Sequence, residues 1–352
     1  MKSKKYYTIG VMSGTSLDGI DLCYVNFYRN EFWHYEILKC ETVLYDYNLE
    51  KNLKKSINIS DEELRVLDIE YSKYLSKTIN DFIVQNEISD LDLICSHGHT
   101  VFHEPDRGIT YQIGNLPELK TYLNSTIVCD FRVQDVKLGG QGAPLVPIGD
   151  ELLFNDFDFC LNLGGFSNIS FKKNNDRIAF DICPVNIVLN HYVNRLNKPF
   201  DEDGEIARTG NLNLELLERL NNIEFYKLKP PKSLGLEWVN ENIFPLIDDF
   251  HLPIKDVLRT MVEHIAVQIV KVCNQKSNSK ILVTGGGAFN KFLISRIQKL
   301  SLNQIVTPND DIINYKEALI FAFLGVLRVR NEVNCLSSVT GASRDHSSGK
   351  IY

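Results

Sequence analysis

The sequence predicts an α/β protein built from two domains, and three observations support this prediction. Apolar runs rich in strand-forming residues alternate with segments whose apolar residues recur at helical spacing. At 352 residues, the chain is long for a single hydrophobic core. A strand, a small loop of glycine and hydroxyl side chains, and two further strands open the chain, and the same succession returns near residue 157. Each half therefore carries one such loop.

The first of these loops lies in Gly10–Asp21, between predicted strands at 6–12 and 20–28. Its bare backbone N–H groups and hydroxyls can approach an anion closely. A plain hairpin turn is the alternative. The loop is not a P-loop, because no lysine follows the glycines at the required spacing. Asp18 and Asp21 suit phosphate only with a cation between them, so phosphate binding here predicts Mg²⁺.

Polar clusters follow the later strands of the first half. Its predicted elements are a strand at 32–44, a helix from the Ser60–Glu63 capping box to about residue 86, and strands at 90–95 and 126–131. Ser96–Thr100 and Asp130–Asp135 follow the last two strands, and open α/β sheets bind ligands at the carboxyl ends of their strands. The glycine-rich segment Gly139–Pro144 predicts a domain boundary or hinge.

The second half repeats the opening pattern. Its predicted elements are a strand at 157–163, the loop Gly164–Asn168, strands at 169–173, 178–182 and 280–284, and helices at 255–273 and 312–330. Two such loops facing one cleft would form a phosphate clamp. The strand at 280–284 runs into Gly285–Asn290 at the start of a helix, which suits a nucleotide. That segment fails the dinucleotide pattern Gly-x-Gly-x-x-Gly, because its sixth position is Asn290.

Asp181 ends a predicted buried strand and is the main candidate for chemistry. One alternative is a structural role, in which its carboxylate caps the helix that follows. The other is a general base, whose pKa partial burial would raise. A serine nucleophile in a Gly-x-Ser-x-Gly elbow is absent from the sequence.

The polar clusters of the first half leave two further alternatives open. The acids and the arginine at 130–135 either pair with one another or present the Arg132 guanidinium to a carboxylate ligand. The histidines at 97, 99 and 103 suggest a metal site, but glycine between them disrupts regular ligand geometry. Core or substrate-contacting roles are therefore favoured for these histidines.

Composition limits the partners and the compartment. With 45 acidic and 38 basic residues the net charge is −7, which disfavours nucleic acid as the main partner. The eight cysteines form no Cys-x-x-Cys pair, which indicates reduced thiols in the cytoplasm rather than disulfides or structural zinc. No signal core and no apolar run near ~20 residues is present, so we expect no membrane partner.

Ten motifs can be compared with known families: Gly10–Asp21, Ser96–Glu104, Gln112–Asn115, Asp130–Asp135, Gly139–Pro147, Asn162–Ser170, Asp201–Gly210, Gly285–Asn290, Glu317–Phe323 and Val339–Ala342. In order and spacing they resemble the anhydro-N-acetylmuramic acid kinase family over nearly the whole chain. That family has the two-domain sugar-kinase/actin/chaperone-ATPase fold, with a ribonuclease-H-like sheet in each domain. The resemblance agrees with the duplicated strand pattern.

The resemblance implies an ATP-dependent kinase for cell-wall sugar recycling. Such a kinase phosphorylates the 6-oxygen of 1,6-anhydro-N-acetylmuramic acid while water opens the anhydro ring, giving N-acetylmuramic acid 6-phosphate. Asp181 falls on the family's catalytic aspartate, which would activate the water. The family also suggests a homodimer.

The expected site residues fall into three groups. For ATP they are Gly14, Thr15, Ser16, Leu17, Asp18, Gly19, Ile20, Asp21, Gly164, Gly165, Asn168, Gly285, Gly286, Gly287 and Asn290. For the sugar they are His97, Glu104, Asp130, Arg132, Asp135, Asn186 and Glu317. For Mg²⁺ they are Asp18 and Asp21.

We expect an N-terminal domain of residues 1–135 with about 331–352, and a C-terminal domain of residues 136–330. The first would carry the first phosphate loop. The second would carry the other phosphate loop and the nucleoside-side glycines.

The chain departs from the family pattern at three places, and these departures leave other functions open. Gly-Pro-Gly-Asn becomes Cys183–Asn186, Lys-Ser-Thr-Gly-Arg-Glu becomes Lys232–Glu237, and His-Gly-Gln-Thr becomes His97–Thr100. A first alternative is a kinase for a different amino or anhydro sugar. A second is a catalytically weak nucleotide-binding regulator of the same fold, and a third is a phosphohydrolase.

Overall fold

The computed structural model describes residues 4–14, 17 and 19–352. The chain divides into two compact units. Unit 1 comprises Met1–Leu153 and Tyr315–Tyr352, and unit 2 comprises Phe154–Asn314. Strands and helices alternate in both units, which confirms the predicted α/β class.

The helices and strands have the following bounds. In the first part of unit 1 they are β1 Lys5–Ser13, β2 Ile20–Arg29, β3 Trp33–Val43, α1 Tyr47–Lys55, α2 Asp61–Gln85, β4 Leu93–Glu104, β5 Ile109–Ile113, α3 Leu119–Leu123, β6 Ile127–Cys129, α4 Val133–Lys137 and α5 Pro147–Leu153. Unit 2 contains β7 Phe159–Leu163, β8 Phe166–Lys173, β9 Asp176–Pro184, α6 Asn186–Asn194, α7 Glu205–Arg208, α8 Leu214–Asn221, α9 Leu236–Asn242, α10 Phe244–Asp248, α11 Ile254–Cys273, β10 Lys280–Thr284, α12 Lys291–Leu300 and β11 Gln304–Val306. The last elements are α13 Asp310–Val329, α14 Ser337–Thr340 and β12 Lys350–Ile351.

The two units share one sheet topology. In unit 1 the strand order is β3-β2-β1-β4-β6-β12, with β5 paired to β4. In unit 2 the order is β9-β8-β7-β10-β11. In each sheet the first three strands along the chain are antiparallel neighbours, and the next strand lies parallel to the first. The predicted repeat of the opening pattern is therefore confirmed.

Local sequence signals account for the long helix of unit 1. The Ser60 side chain accepts from the Glu63 backbone N–H while the Glu63 carboxylate accepts from the Ser60 backbone N–H, so the predicted capping box is present. The helix α2 then buries Leu67, Tyr71 and Leu75 among other residues against the sheet of unit 1. These positions recur at helical spacing, which is why the pattern predicted this helix correctly.

The unit boundaries differ from the expected domain boundaries at residues 135 and 330. The division falls after Leu153 and after Asn314 instead. Most of α13 belongs to unit 1, because a Cβ at Gly10 of β1 would collide with the Ala318 carbonyl oxygen, and one at Gly325 would collide with Cys95 of β4. Such close backbone approach needs glycine, and only the tertiary packing reveals it.

The strand β4 is longer than predicted. It starts at Leu93 and runs to Glu104, and from His99 onwards it forms a hairpin with β5. The segment Ser96–Thr100, which was expected to follow the strand, therefore lies within it. The two histidines of this segment, His97 and His99, are therefore buried side chains of a strand and do not lie in an open loop.

The core of unit 2 contains a histidine whose pKa lies far below the usual value. His264 of α11 is fully buried, and its ring nitrogens lie 2.8 Å from Asn221 Oδ1 and 3.0 Å from the Tyr226 hydroxyl. Burial lowers the pKa of His264 to about 3. The folded state therefore holds this imidazole neutral, while the unfolded chain protonates it near pH 6.5.

We expect the free energy of unfolding to decrease as the pH falls below about 6.5. The unfolded state binds the extra proton there, and one such histidine contributes a slope of up to about 1.4 kcal/mol per pH unit. Urea unfolding at several pH values measures the slope, and His264→Gln should make it shallower. His251→Asn, at an exposed position, is the control and should retain the wild-type slope. An unchanged slope in His264→Gln would contradict this explanation.

The described part of the chain contains no helix that is long and apolar enough to cross a membrane. All eight cysteines are free thiols, and seven of them are buried.

Candidate functional site

Four polar residues of unit 2 lie side by side across its sheet. Thr284 of β10 is the Cα partner of Asn162 in β7, Asn162 pairs with Asn168 in β8, and Asn168 pairs with Asp181 in β9. Side chains of paired residues project from the same face of a sheet. We call these four residues the polar row.

Asp181 occupies the β9 end of the polar row. Its Oδ2 accepts a 2.8 Å hydrogen bond from the Leu234 backbone N–H, and its own N–H donates to the Lys232 carbonyl at 3.1 Å. Burial raises the pKa of the Asp181 carboxyl, and the Leu234 N–H opposes this shift. The helix cap at α6 is Val185, which makes no side-chain capping bond. Asp181 is therefore not the cap of that helix.

The turn at Cys183–Asn186, where the chain departs from the family pattern, keeps a negative φ at Val185. Val185 has a φ of −125°, so this turn needs no glycine conformation. The N–H groups of Val185 and Ile187 donate to the Gly165 carbonyl at 2.8 and 3.2 Å, and the Asn186 N–H donates to the Gly164 carbonyl at 3.2 Å. The turn at Gly164–Gly165 is thus held against the start of α6.

Asn162 links the two glycine segments of unit 2, and sequence reasoning missed it as a site residue. A Cβ at Gly164 would lie 3.3 Å from the Asn162 Nδ2, and one at Gly285 would collide with its Oδ1. Gly285 has a φ of +80°, so its conformation also requires glycine. The available signal was an amide side chain inside the otherwise apolar strand Phe159–Leu163.

Two predicted asparagines of unit 2 have identifiable local partners. The Asn186 Nδ2 donates to the Leu163 carbonyl at 3.3 Å, and the side chain lies against Gly286 and Gly287. The Asn290 Oδ1 accepts from the Leu293 N–H at 2.9 Å and caps α12. Asn186 therefore lies beside the glycines expected for the nucleotide, although we had expected it to contact the sugar.

The glycine loop of unit 1 is only partly described. Thr15, Ser16 and Asp18 lie outside the described residues, and their expected roles stay predictions. Leu17 has a φ of +62°, and Gly19 has a φ of +143°. A Cβ at Gly19 would collide with the Val43 carbonyl oxygen. The neighbouring side chain of Ile20 is fully buried, so only its backbone could face a ligand. The Gly14 carbonyl accepts from the Leu17 N–H at 3.4 Å.

Arg132 is held in place by its neighbours in unit 1. Its Nε donates to the His97 Nε2 at 2.9 Å, and its Nη1 donates to the Gly142 carbonyl at 3.1 Å. The His97 Nδ1 lies 2.8 Å from the Gly98 carbonyl, which assigns the proton to Nδ1. Burial and the nearby guanidinium place the pKa of His97 well below its usual range. His97 is thus a neutral support for Arg132.

Three predicted residues of unit 1 interact through their charges. The Arg132 guanidinium favours the ionised form of Glu317, while the Asp21 carboxylate disfavours it. The pKa of Glu317 is raised, mainly because surrounding protein desolvates its carboxyl, although part of the side chain remains exposed. Burial lowers the pKa of Arg132 to about 10, so the guanidinium is still charged at neutral pH. These three groups therefore form one charged cluster.

The acids of this cluster fit a divalent cation. Asp21 Oδ1 accepts from the Thr42 hydroxyl at 2.7 Å. Asp21 and Glu317 repel each other, and hard cations such as Mg²⁺ bind between carboxylate oxygens. The expected roles of Asp21 and Asp18 as Mg²⁺ ligands stay predictions, and Asp18 lies outside the described residues.

Three other predicted sugar-binding residues have local partners in unit 1. Asp130, at a φ of +57°, pairs with the Lys350 ammonium at 2.6 Å. Glu104 is exposed at the end of β4 and pairs with Arg107 at 2.5 Å. Asp135 has no accessible surface, so its carboxylate contacts no ligand from solvent in this structure. The structure therefore corrects our expectation of direct sugar contact for Asp135.

The repeated sheet and its glycine loops define a class of protein. Two units with this strand order have the architecture of the sugar-kinase/actin/chaperone-ATPase class. A family model described as anhydro-N-acetylmuramic acid kinase matches residues 5–352. The chain belongs to the anhydro-N-acetylmuramic acid kinase family.

Relatives of known name cover the chain almost completely. Anhydro-N-acetylmuramic acid kinase from Actinobacillus pleuropneumoniae is 35% identical over 98% of each chain. The kinase of the same name from Sulfurimonas denitrificans is 31% identical over 98% of this chain and 99% of its own length. Among solved structures, a glucokinase from Streptomyces griseus with glucose and AMPPNP has a TM-score of 0.41 at 12% identity, covering 90% of this chain and 98% of its own. This weak structural likeness carries no argument about function.

Proposed function

We propose that this chain is an ATP-dependent kinase that converts 1,6-anhydro-N-acetylmuramic acid into N-acetylmuramic acid 6-phosphate. One observation carries the proposal. In this chain the polar row ends at Asp181. The pKa of the Asp181 carboxyl is raised, and one of its oxygens accepts a hydrogen bond from the Leu234 N–H. A carboxylate in that condition suits a general base.

Asp181 would act on water in this reaction. Because Oδ2 is held by the Leu234 N–H, Oδ1 is available to accept a proton from water. The water oxygen forms a bond to the anomeric carbon, and the bond from that carbon to the 6-oxygen breaks. The 6-oxygen then takes the γ-phosphoryl group of ATP, and ADP leaves. One water and one ATP are consumed for each sugar, and the proton passes to Asp181 before it is released.

Backbone groups would position the triphosphate. Unit 2 contributes the turn Gly164–Gly165, the segment Gly285–Gly287, and Asn162 between them. The expected role of the loop Gly14–Asp21 of unit 1 in ATP binding stays a prediction. When bound, Mg²⁺ would neutralise phosphate charge, and Asp21, Asp18 and Glu317 are the acids of unit 1 that would hold it.

Arg132 is our candidate for recognition of the sugar. The lactyl group of muramic acid carries a carboxylate. A guanidinium held in a fixed orientation can bind a carboxylate with two parallel hydrogen bonds. The Nη2 of Arg132 has no partner among the described residues, which leaves it available to such a ligand. His97 would then be a positioning residue rather than a ligand of the sugar.

A substrate panel tests the proposed function. ADP release would be measured with anhydro-N-acetylmuramic acid, anhydro-N-acetylglucosamine and the two corresponding ring-opened sugars. We expect the first sugar to give the highest kcat/KM. Preference for another sugar would favour the first alternative function, and Leu236 motivates it because its apolar side chain is 47% exposed where the family has a cation. ATP binding without turnover would indicate a regulator, and ADP release without sugar would indicate a phosphohydrolase.

We expect Gly165→Ala to weaken ATP binding without weakening the fold. A Cβ there meets nothing closer than Ile187 at 3.9 Å, so protein packing does not require this glycine. If phosphate approaches the turn, the added methyl group should raise the KM for ATP about tenfold, or ~1.4 kcal/mol. Melting temperature and ATP kinetics measure the two effects. Gly10→Ala is the opposite control and should lower the melting temperature, and an unchanged KM in Gly165→Ala would contradict the proposed phosphate site.

The cytoplasmic location, the homodimer and the absence of other partners stay predictions. The free thiols favour a reducing compartment. Sedimentation of the purified chain would measure the oligomeric state.

A further inference from the structure

Three side chains from separate segments of unit 1 form a buried cluster. Asp135 lies in α4, while Cys335 and His346 lie far along the chain and face each other in an isolated β-bridge. Their exposed fractions are 0%, 1% and 6%. One carboxylate oxygen, the sulfur and one ring nitrogen all lie within 4.8 Å of one another. We call Asp135, Cys335 and His346 the buried triad.

The orientation of His346 points to a missing partner. Its Nδ1 lies 3.1 Å from the Arg344 carbonyl, which assigns the proton to Nδ1 and leaves a lone pair on Nε2. That Nε2 is buried and makes no hydrogen bond among the described residues, and it lies 3.5 Å from Asp135 Oδ1. In that tautomer the His346 Nε2 and the Asp135 Oδ1 that faces it are both hydrogen-bond acceptors. A cation between them would give the His346 Nε2 the partner that it lacks.

Hydrogen bonds from neighbouring groups hold the side chains of Asp135 and Cys335 in position. The Cys335 thiol donates to Asp135 Oδ1 at 3.0 Å, and the Thr340 hydroxyl donates to the same oxygen at 2.7 Å. The Gly142 N–H donates to Asp135 Oδ2 at 2.7 Å. Reciprocal N–H to carbonyl bonds of 3.1 Å join Cys335 and His346. The carboxylate is therefore oriented by groups outside the triad, as the carboxylate ligands of metal sites are.

We propose that the buried triad binds one zinc ion through Asp135 Oδ1, Cys335 Sγ and His346 Nε2. Thiolate, imidazole and carboxylate are the ligands that zinc takes in tetrahedral sites, while Mg²⁺ and Ca²⁺ avoid sulfur and nitrogen. On binding, the Cys335 thiol loses its proton to solvent, and the Zn–S bond replaces the hydrogen bond to Asp135. No other cluster of this kind occurs in the described ranges 4–14, 17 and 19–352.

The zinc would be structural. It would tie the C-terminal segment to α4 and, through Asp135 Oδ2, to the glycine-rich segment Gly139–Pro144. The Gly142 carbonyl in that segment accepts from Arg132. All three ligands are buried, so a water molecule rather than a substrate would take the fourth tetrahedral position. The proposal is independent of the proposed kinase activity.

Cobalt substitution tests the proposal directly. The untagged full-length chain would be treated with a chelator, desalted and titrated with Co²⁺. We expect one Co²⁺ per chain, with the intense visible bands of tetrahedral cobalt and a near-ultraviolet thiolate-to-cobalt band. Equimolar Zn²⁺ should abolish these bands. An absence of tetrahedral bands in the wild-type chain would overturn the proposal.

Two variants and a control assign the ligands. Cys335→Ala should lose the thiolate band, and His346→Gln should lose tight binding while it keeps a buried polar side chain. The control is Cys40→Ser, because Cys40 and Cys23 are neighbouring thiols outside the triad, with their sulfur atoms 3.0 Å apart. Cys40→Ser should bind Co²⁺ as the wild type does. Bands that persist in Cys335→Ala and disappear in Cys40→Ser would place the metal elsewhere and overturn the assignment.

Thermal unfolding gives a second readout that does not depend on activity. Zn²⁺ should raise the melting temperature of the metal-free wild type and of Cys40→Ser, because the ion binds only the folded state. It should leave the melting temperatures of Cys335→Ala and His346→Gln unchanged. If Cys335→Ala does not fold, His346→Gln decides the question. Equal shifts in His346→Gln and the wild type would contradict the proposal.

Discussion

Replacement of Asp181 by asparagine should reduce kcat about 10²–10⁴-fold while the KM for ATP stays nearly constant. The amide keeps the size of the carboxylate, and its oxygen can still accept from the Leu234 N–H. It cannot accept a proton from water at neutral pH. The loss therefore falls on the chemical step. Steady-state kinetics with both substrates measure this split.

The pH dependence of the wild type gives an independent check on Asp181. Burial raises the pKa of this carboxyl. As the pH is lowered, activity should therefore begin to fall at a higher pH than it would if the base were an exposed aspartate. The ionised form is the active one, so the loss occurs as the pH falls through the raised pKa. Asp176→Asn, at an exposed position of the same strand β9, is the matched control and should keep the wild-type kcat. Full activity in Asp181→Asn would refute its assignment as the base.

Replacement of Arg132 by alanine should reduce kcat/KM for the sugar at least roughly 30-fold, which corresponds to about 2–5 kcal/mol for a buried charged partner. The change removes the guanidinium that we expect to bind the carboxylate of the sugar. It also removes the hydrogen-bond donor of the His97 Nε2 and the positive charge near the Glu317 carboxylate. Arg132→Lys should lose less, because it retains the charge but not the planar fork.

Two comparisons separate sugar recognition from general damage at Arg132. The KM for ATP should change much less than kcat/KM for the sugar. Arg65→Ala, on the exposed face of α2, removes another arginine of unit 1 and should leave both constants unchanged. Equal losses for ATP and sugar in Arg132→Ala would argue against a role in sugar recognition.

The sequence predicted those parts of the fold that local patterns determine. The apolar runs of strand-forming residues indicated β1–β3, and the capping box at Ser60 with apolar residues at helical spacing indicated α2, because these signals are local. The repeated strand–loop–strand pattern also gave the shared topology of the two sheets. The unit boundaries were not predicted, since they depend on contacts such as Gly10 with Ala318, which are 308 residues apart in the chain.

The sequence indicated candidate site residues from local polar clusters, and it could not indicate contacts between residues that are far apart in the chain. Asp135 looked like a ligand of the sugar, but Cys335 and Thr340, some 200 residues later, bury its carboxylate. The support of Asp181 by Leu234 is a backbone contact, so the departure of that side chain from the family pattern does not remove it. Such contacts leave no mark in the side-chain pattern of one sequence.

The product of the wild-type reaction tests the central claim most directly. The chain would be incubated with ATP, Mg²⁺ and 1,6-anhydro-N-acetylmuramic acid, and the sugar product would be analysed by mass spectrometry beside an ADP assay. We expect a mass gain of one phosphoryl group and one water, with one ADP formed per sugar. A phosphorylated sugar that keeps its anhydro ring, or ADP formed without any sugar product, would contradict the proposed function.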